Sequence, residues 1–216
     1  MKFAVSYSGG KDSALALYRM LQAGHSPVAM ITTINKSLSR SWFHGVDLPL
    51  LTEISVSLGI PLLTAESDGT DYHTALEACL LQAKSMGAEA CVFGDIDIAE
   101  HLEWNRARCR SAGLSCEMPL WQMPREAVVA EFISSGLLAA VKCVQNDKLS
   151  SAVLGRTLDA GTVELFRRSK IDICGENGEY HTIVYGGPIF EHTVKLRYGE
   201  ILNFGTHSAM DITLLS

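Results

Sequence analysis

Short apolar runs alternate with longer stretches whose apolar positions recur at helical spacing, and the alternation begins at the first residues. Runs at 3–6, 28–34, 62–65 and 90–93 read as strands. The stretches 14–23, 49–58 and 72–86 carry the i, i+3, i+4 pattern of amphipathic helices. Gly24, Gly59 and Gly87 fall just past the three helical stretches. A residue with positive φ is wanted there to end a helix. A further helix and strand, 99–112 and 114–118, extend the series. Strands separated by helices imply a parallel sheet.

The rhythm changes at Pro119 and Pro124. One more helix is expected at 125–135, and strand-like segments interrupted by glycine follow at 139–144, 152–154, 182–185, 194–198, 201–204 and 211–215. The chain therefore divides into an α/β part, 1–124, and a smaller α+β part, 125–216. No internal repeat or low-complexity tract interrupts either.

Composition narrows the class. In 216 residues, 47% hydrophobic content suffices for a substantial core, and no apolar run approaches the length of a membrane span. The N-terminus runs directly into a strand and has no secretory signal pattern, so a cytoplasmic protein is expected. A net charge of −6 gives no support to a broad nucleic-acid surface. Six cysteines without a CxxC pair argue against a zinc ribbon or a dithiol centre; Cys79 and Cys91 read as core, Cys109 and Cys116 as nearer the surface.

The chemistry concentrates in two loops. The first, Ser8-Gly9-Gly10-Lys11-Asp12-Ser13, joins the first strand to the first helix. Paired glycines let an anion approach backbone N–H groups, Lys11 adds a point charge, Ser8 and Ser13 add hydroxyls, and the helix adds the positive end of its dipole. Asp12 would repel a phosphate unless a cation such as Mg²⁺ lies between them; otherwise it serves as a helix cap. The loop is not a Walker motif, which needs glycine where Val5 stands and Ser or Thr where Asp12 stands. It resembles the SGGxDS loop of the ATP pyrophosphatases, the adenine nucleotide α-hydrolase-like group, which grips the pyrophosphate end of ATP while reaction occurs at the α-phosphorus.

The second loop, Gly175-Glu176-Asn177-Gly178-Glu179-Tyr180-His181-Thr182, is too polar and glycine-rich to be packing material. Two carboxylates, an amide and an imidazole together bind a cation, hold an amine or move protons. With Ser8–Ser13, Gly94-Asp95-Ile96 and Leu154-Gly155-Arg156, this motif makes the whole chain similar to the diphthine–ammonia ligase (diphthamide synthase) family. His181 stands where archaeal and eukaryotic members generally carry an acidic residue, and 97–104 also differs from them, so the resemblance is to the bacterial branch.

That resemblance implies a doubly wound parallel sheet of the HUP/Rossmann-like type, order 3-2-1-4-5, in which the loops after strands 1 and 4 share one crevice. Gly94 and Asp95 would then face ATP, with Asp95 on ribose or Mg²⁺, unless Asp95 and Asp97 cap the next helix. Thr32 and Thr33 would lie beside adenine. His44, in a His-Gly pair similar to one in the family, would touch substrate or phosphate. Arg156, Asn177, Tyr180 and Thr182 would serve the acceptor.

The activity implied is conversion of a carboxylate to an amide with ammonia, coupled to cleavage of ATP to AMP and pyrophosphate. Lys11 and Asp12 with Mg²⁺ would steady the leaving pyrophosphate, while Glu176 and Glu179 would orient the amine or accept its proton, with His181 as an alternative base. ATP, ammonia and a carboxylate acceptor are the partners implied. Two alternatives stay open: an ATP pyrophosphatase acting on another small molecule or an RNA base, and a nucleotide sensor without turnover. The β-rich C-terminal segment, including Phe190, Val194, Leu196 and Ile201, offers edges through which a homodimer would form.

Overall fold

The structure, a computed structural model, describes residues 1–42 and 44–215. Five parallel strands, β1 (Lys2–Ser6), β2 (Ser26–Asn35), β4 (Leu62–Ser67), β5 (Ala90–Val92) and β6 (Ser115–Glu117), form a sheet in the order β4-β2-β1-β5-β6. Counting parallel strands alone, this is the 3-2-1-4-5 order that the resemblance implied. A two-residue strand, β3 (Arg40–Ser41), turns back antiparallel on the end of β2.

The period-2 alternation of side chains shows why helices cover both faces. Phe3 and Val5 of β1 belong to one core, with residues of α1 (Lys11–Gln22) and α2 (Leu48–Leu58). Ala4 between them belongs to a second core, with residues of α3 (Tyr72–Ser85) and α4 (Ala99–Ala112). Cys109 lies in that second core and is buried, contrary to its expected place nearer the surface. Among the expected helix ends, Gly24, Gly59 and Gly87 all take positive φ.

After α5 (Arg125–Ser134), an antiparallel sheet forms from β7 (Leu138–Gln145), β8 (Tyr180–Gly186), β9 (Leu196–Asn203) and β10 (His207–Leu214), in the order β8-β7-β10-β9. Three expectations change here. Residues 152–154 are not a strand: Ser151–Val153 form a 3₁₀ turn, started by the Ser150 hydroxyl, which accepts from Ala152 N–H at 3.2 Å. The segments 194–198 and 201–204 belong to one continuous β9, with a register shift opposite Met210 and Ile212. A helix, α6 (Ala160–Arg168), stands where no element was expected, capped by Asp159, whose carboxylate accepts from Thr162 N–H at 2.8 Å.

The second sheet does not stand apart from the first. Val141, Ile183, Val184 and Ile212 share the larger core with Phe3, Leu15 and Leu50. At the other edge of the sheet, β9 leaves Tyr198, Ile201 and Leu202 exposed, with Phe204 beyond it. No helix among the described residues is long and apolar enough to cross a membrane.

Candidate functional site

The turn after β1 is held open by hydrogen bonds from both halves of the chain. Gly9 takes φ 89°, and its carbonyl accepts from Val184 N–H of β8 at 2.8 Å. Lys11 N–H donates to the Thr182 hydroxyl at 3.0 Å. Ser13 Oγ donates to the Gly10 carbonyl at 3.0 Å and lies 3.2 Å from Ser8 Oγ. The N–H groups of Asp12 and Ser13 remain in the first turn of α1, where no helical carbonyl precedes them to accept. Gly10 has no room for a side chain, since a Cβ there would lie 2.4 Å from His44 Cε1.

Lys11 is buried, and its ammonium donates to both oxygens of Asp12, at 2.9 and 2.7 Å. Burial alone would lower its pKa, but the Asp12 carboxylate, helped by Tyr180, Cys174 and Glu176, raises it, so Lys11 is a permanent cation. Its Nζ also sits 5.7 Å from the centre of the Tyr180 ring.

The second motif packs against this pair, and both line a cavity of about 710 Å³. Ser8, Lys11, Asp12, Ser13, Thr33 and His44 line it from the first half of the chain; Glu176, Tyr180, His181 and Thr182 line it from the second. Glu176 is pushed up to about 7, first by burial and then by repulsion from Asp12, with Lys11 and Arg125 pulling the other way. Two carboxylates placed so that they disfavour each other's charge make a site that gains from a cation. His44 and His181 meet edge to face, ring centres 4.9 Å apart. Burial, reinforced by Lys11, lowers His181 to about 4; burial and the neighbouring His181 hold His44 well below the usual range. His44 Nδ1 donates to the Thr182 carbonyl at 3.0 Å.

Other expected residues lie elsewhere. Glu179 is buried outside the cavity lining, where its carboxylate accepts from the N–H groups of Asp172 (3.2 Å) and Asn177 (3.1 Å) and from Asn177 Nδ2 (3.1 Å). Burial would raise it, but these hydrogen bonds win and keep it below the usual carboxylate range. Glu179 and Asn177 thus shape the loop from within. Arg156 is exposed and outside the lining, on the turn whose carbonyl accepts from Val141 N–H at 2.9 Å. Thr32 lines a side pocket of about 50 Å³, its hydroxyl donating to the Tyr7 carbonyl at 2.6 Å.

Gly94 lines the cavity, yet its missing side chain serves a different neighbour: a Cβ would lie 2.7 Å from the backbone of Asp12 and Ser13. The turn after β5 is thus pressed against the N-terminus of α1. Asp95 and Asp97 do not cap α4, whose N-cap position is Ile98 without a side-chain cap bond. Asp97 pairs with Arg125 at 2.9 Å, and Arg125 also pairs with Asp172 at 2.9 Å, tying α5 to the stem of the second motif.

Profiles of known families match both halves: one described as the diphthamide synthase N-terminal domain over residues 1–116, one as the diphthamide synthase C-terminal domain over residues 124–215. The chain belongs to the diphthamide synthase family. Within the family, a Schizosaccharomyces pombe protein named diphthine–ammonia ligase is 27% identical over 244 residues, covering 100% of this chain and 39% of its own length. The Homo sapiens protein of the same name is 26% identical over 238 residues, covering 97% of this chain and 86% of its own. This chain therefore spans about two fifths of the length of the fission-yeast relative and most of the human one. A crystal structure from Methanocaldococcus jannaschii, described as a predicted subunit of tRNA methyltransferase, aligns with TM-score 0.46 and 14% identity over 90% of this chain and 100% of its own.

One wall of the cavity in this diphthamide synthase family member escaped the sequence reading. Tyr72 and Leu76 of α3, and His101, Trp104 and Asn105 of α4, line it alongside Asp95. The Tyr72 ring lies 5.9 Å from Trp104 and 6.2 Å from Trp42, and its hydroxyl donates to Thr33 Oγ1 at 3.2 Å. A signal existed: residues 101, 104 and 105 fall on one face at the start of the helix that follows the fourth parallel strand.

Proposed function

We propose that this protein is an ATP-dependent ligase that forms AMP and pyrophosphate while converting a carboxylate, diphthine or a chemically similar acceptor, into its amide with ammonia. One observation carries the reading: the anion-binding turn with Lys11 and the acidic loop with Glu176, packed against each other, line the same cavity. The names of the relatives support the same activity.

The cavity fits ATP by chemistry. A helix N-terminus, a permanent ammonium and serine hydroxyls converge where a polyphosphate would lie, and the volume falls within the range of small-molecule sites. It also fits Mg²⁺ in the manner usual for nucleotide sites, where one or two carboxylates share the ion with phosphate oxygens. Asp12 and Glu176 are those carboxylates; Asp12 keeps acceptor capacity beyond its two bonds to Lys11. When bound, ATP would supply an adenylyl group, so that the acceptor carboxylate, a poor electrophile as an anion, gains a leaving group that ammonia displaces.

The chain's own residues position and stabilise. Lys11 neutralises charge on the departing pyrophosphate and, being tied to Asp12, is already aimed. Glu176 holds positive charge beside it, whether metal or ammonium. His44 and His181 are neutral at physiological pH, so they act as hydrogen-bonding walls and not as cations. The boundary between a nucleotide-holding unit and an acceptor-holding unit falls at 124/125, and the exposed edge of β9 is the surface through which two copies would pair.

The deciding experiment incubates the purified protein with ATP, Mg²⁺, ammonium and a diphthine-bearing acceptor and separates the nucleotides by chromatography. AMP and pyrophosphate in equal amounts, dependent on acceptor, are expected. ADP with inorganic phosphate, or no nucleotide cleavage, would overturn the reading. Lys11→Met should abolish turnover while the protein remains folded by circular dichroism.

A further inference from the structure

The α4 wall of the cavity holds a histidine–carboxylate pair for which the reading above has no task. Asp95 Oδ1 accepts from His101 Nδ1 at 2.9 Å, and Asp95 Oδ2 accepts from Asn105 Nδ2 at 3.0 Å. An ionised carboxylate at these contacts only accepts, so His101 Nδ1 carries a proton, and in the neutral ring the lone pair is on Nε2. His101 and Asn105 stand one helical turn apart on the same face, which lets one carboxylate engage both. Asn105 is buried, and it fixes Asp95 from the inner side. His101 is the outer member, its side chain 56% exposed, and all three residues line the cavity.

A pair serving only to stabilise the surface would not need a buried amide to hold its second oxygen. Here the carboxylate is fixed at both oxygens, and the imidazole it orients faces the cavity and solvent.

The proposed reaction has a proton to dispose of. At neutral pH ammonia is present almost entirely as ammonium, which has no lone pair for attack. The groups clustered around Lys11 already have other partners or tasks. Lys11 is already protonated, and Asp12 is paired with Lys11 and assigned to the cation. His181 is too weak a base in its buried position, and His44 is buried against it. Glu176 stands beside Asp12, where it holds a cation in place better than it discharges one.

We propose that His101, oriented by Asp95 and Asn105, is the base that takes a proton from ammonium in the cavity, with His101 catalytic and Asp95 and Asn105 positioning. This rests on the ligase reading. The ammonium proton passes to His101 Nε2; the freed nitrogen lone pair forms the C–N bond to the activated carbonyl carbon. The C–O bond to AMP breaks, with AMP keeping the electron pair. The second proton lost from nitrogen goes to water, and the exposed His101 returns its own to solvent.

Hydroxylamine separates this role from a structural one, because it is already unprotonated at neutral pH and needs no base to free its lone pair. The full chain is assayed with ATP, Mg²⁺ and a diphthine-bearing peptide, with either ammonium or hydroxylamine as the nitrogen source. His101→Gln should lose about 100-fold or more of the ammonium-dependent kcat. It should retain hydroxamate formation and the KM for ATP. Asp95→Asn should show the same selectivity with a smaller loss. Independently of any acceptor, ¹⁵N spectra of the free protein should show His101 protonated at Nδ1, and this preference should vanish in Asp95→Asn. Equal losses with both nucleophiles, unchanged ammonium turnover in His101→Gln, or an Nε2–H tautomer would each overturn the proposal. A wild-type protein that releases no pyrophosphate with either nucleophile overturns the ligase reading and the base together.

Discussion

Two glutamates three positions apart behave in opposite ways because one faces the cavity and the other faces its own loop. Glu176 is pushed up to about 7 from an ordinary 4.5, so between those values the folded chain holds a proton that the unfolded chain has lost. Stability contributed at this residue therefore falls as pH rises from about 4.5 to 7 and stays low above it. Glu176→Gln should match the parent in urea unfolding near pH 4 and exceed it above pH 7, by about 1–3 kcal/mol with the larger figure reduced by solvent at the cavity mouth. The same substitution should cut turnover, giving a variant that is steadier and slower. Glu179→Ala should be less stable by about 1–3 kcal/mol above the ordinary carboxylate pKa, with the deficit shrinking as pH falls through the lowered pKa of Glu179, since three donors lose an ionised acceptor. A calorimetric Tm that falls for Glu176→Gln, or holds for Glu179→Ala, would reverse these assignments. Sequence composition marked both as chemical groups. It did not distinguish them, because burial and hydrogen bonding within a loop depend on the backbone path and leave no trace in residue type.

At the level of elements, the parallel sheet was legible and much of the C-terminal part was less so, for a physical reason. Strands β1, β2 and β5 are largely buried and read as apolar runs, while the edge strand β4 alternates between buried and more exposed positions; helices with glycine at their ends separate them. The helix α6, by contrast, is short, with Ala160-Gly161-Thr162 in its first turn, and depends on the Asp159 cap and on packing of Val163 and Phe166. Tertiary contact, not propensity, makes it a helix. The turn after β5 was legible as glycine followed by acid, but the use of that glycine was not. Gly94 gives way to the backbone of Asp12 and Ser13, so its size governs how closely two elements approach. Gly94→Ala should push β5 and the start of α1 apart, destabilise the protein by about 1–3 kcal/mol and weaken nucleotide binding by an order of magnitude or more. Titration with a fluorescent ATP analogue would show it. Retained affinity would mean that the α1 terminus tolerates displacement. Arg125 belongs to the same scale, since its pairs to Asp97 and Asp172 join the turn after β5 to the second motif through the start of α5.

For the whole molecule, the two sequence-defined parts and the structure's core disagree in a way that can be tested. Profiles and composition both change near residue 120, yet the larger core includes Phe3, Val5 and Leu50 from one side and Val141, Val184 and Ile212 from the other. The nucleotide loop is pinned across the same divide: Val184 N–H donates to the Gly9 carbonyl, Lys11 N–H to the Thr182 hydroxyl and His44 Nδ1 to the Thr182 carbonyl. Arg40 pairs with Asp211 at 3.2 Å, and Glu191 N–H donates to the Ser57 carbonyl at 2.6 Å, extending the contact away from the cavity. Removing 125–216 would expose core residues and release both the turn at Gly9 and the first N–H of α1. The full chain should therefore unfold in one transition, with calorimetric and van't Hoff enthalpies equal. A fragment ending at residue 124 should bind a hydrophobic dye and fail to bind ATP at concentrations that saturate the full chain. Two transitions, or a fragment that binds ATP as tightly as the parent, would show instead that the first unit builds the nucleotide site unaided. The cavity would then be an interface between two finished domains, not a site that neither half forms alone.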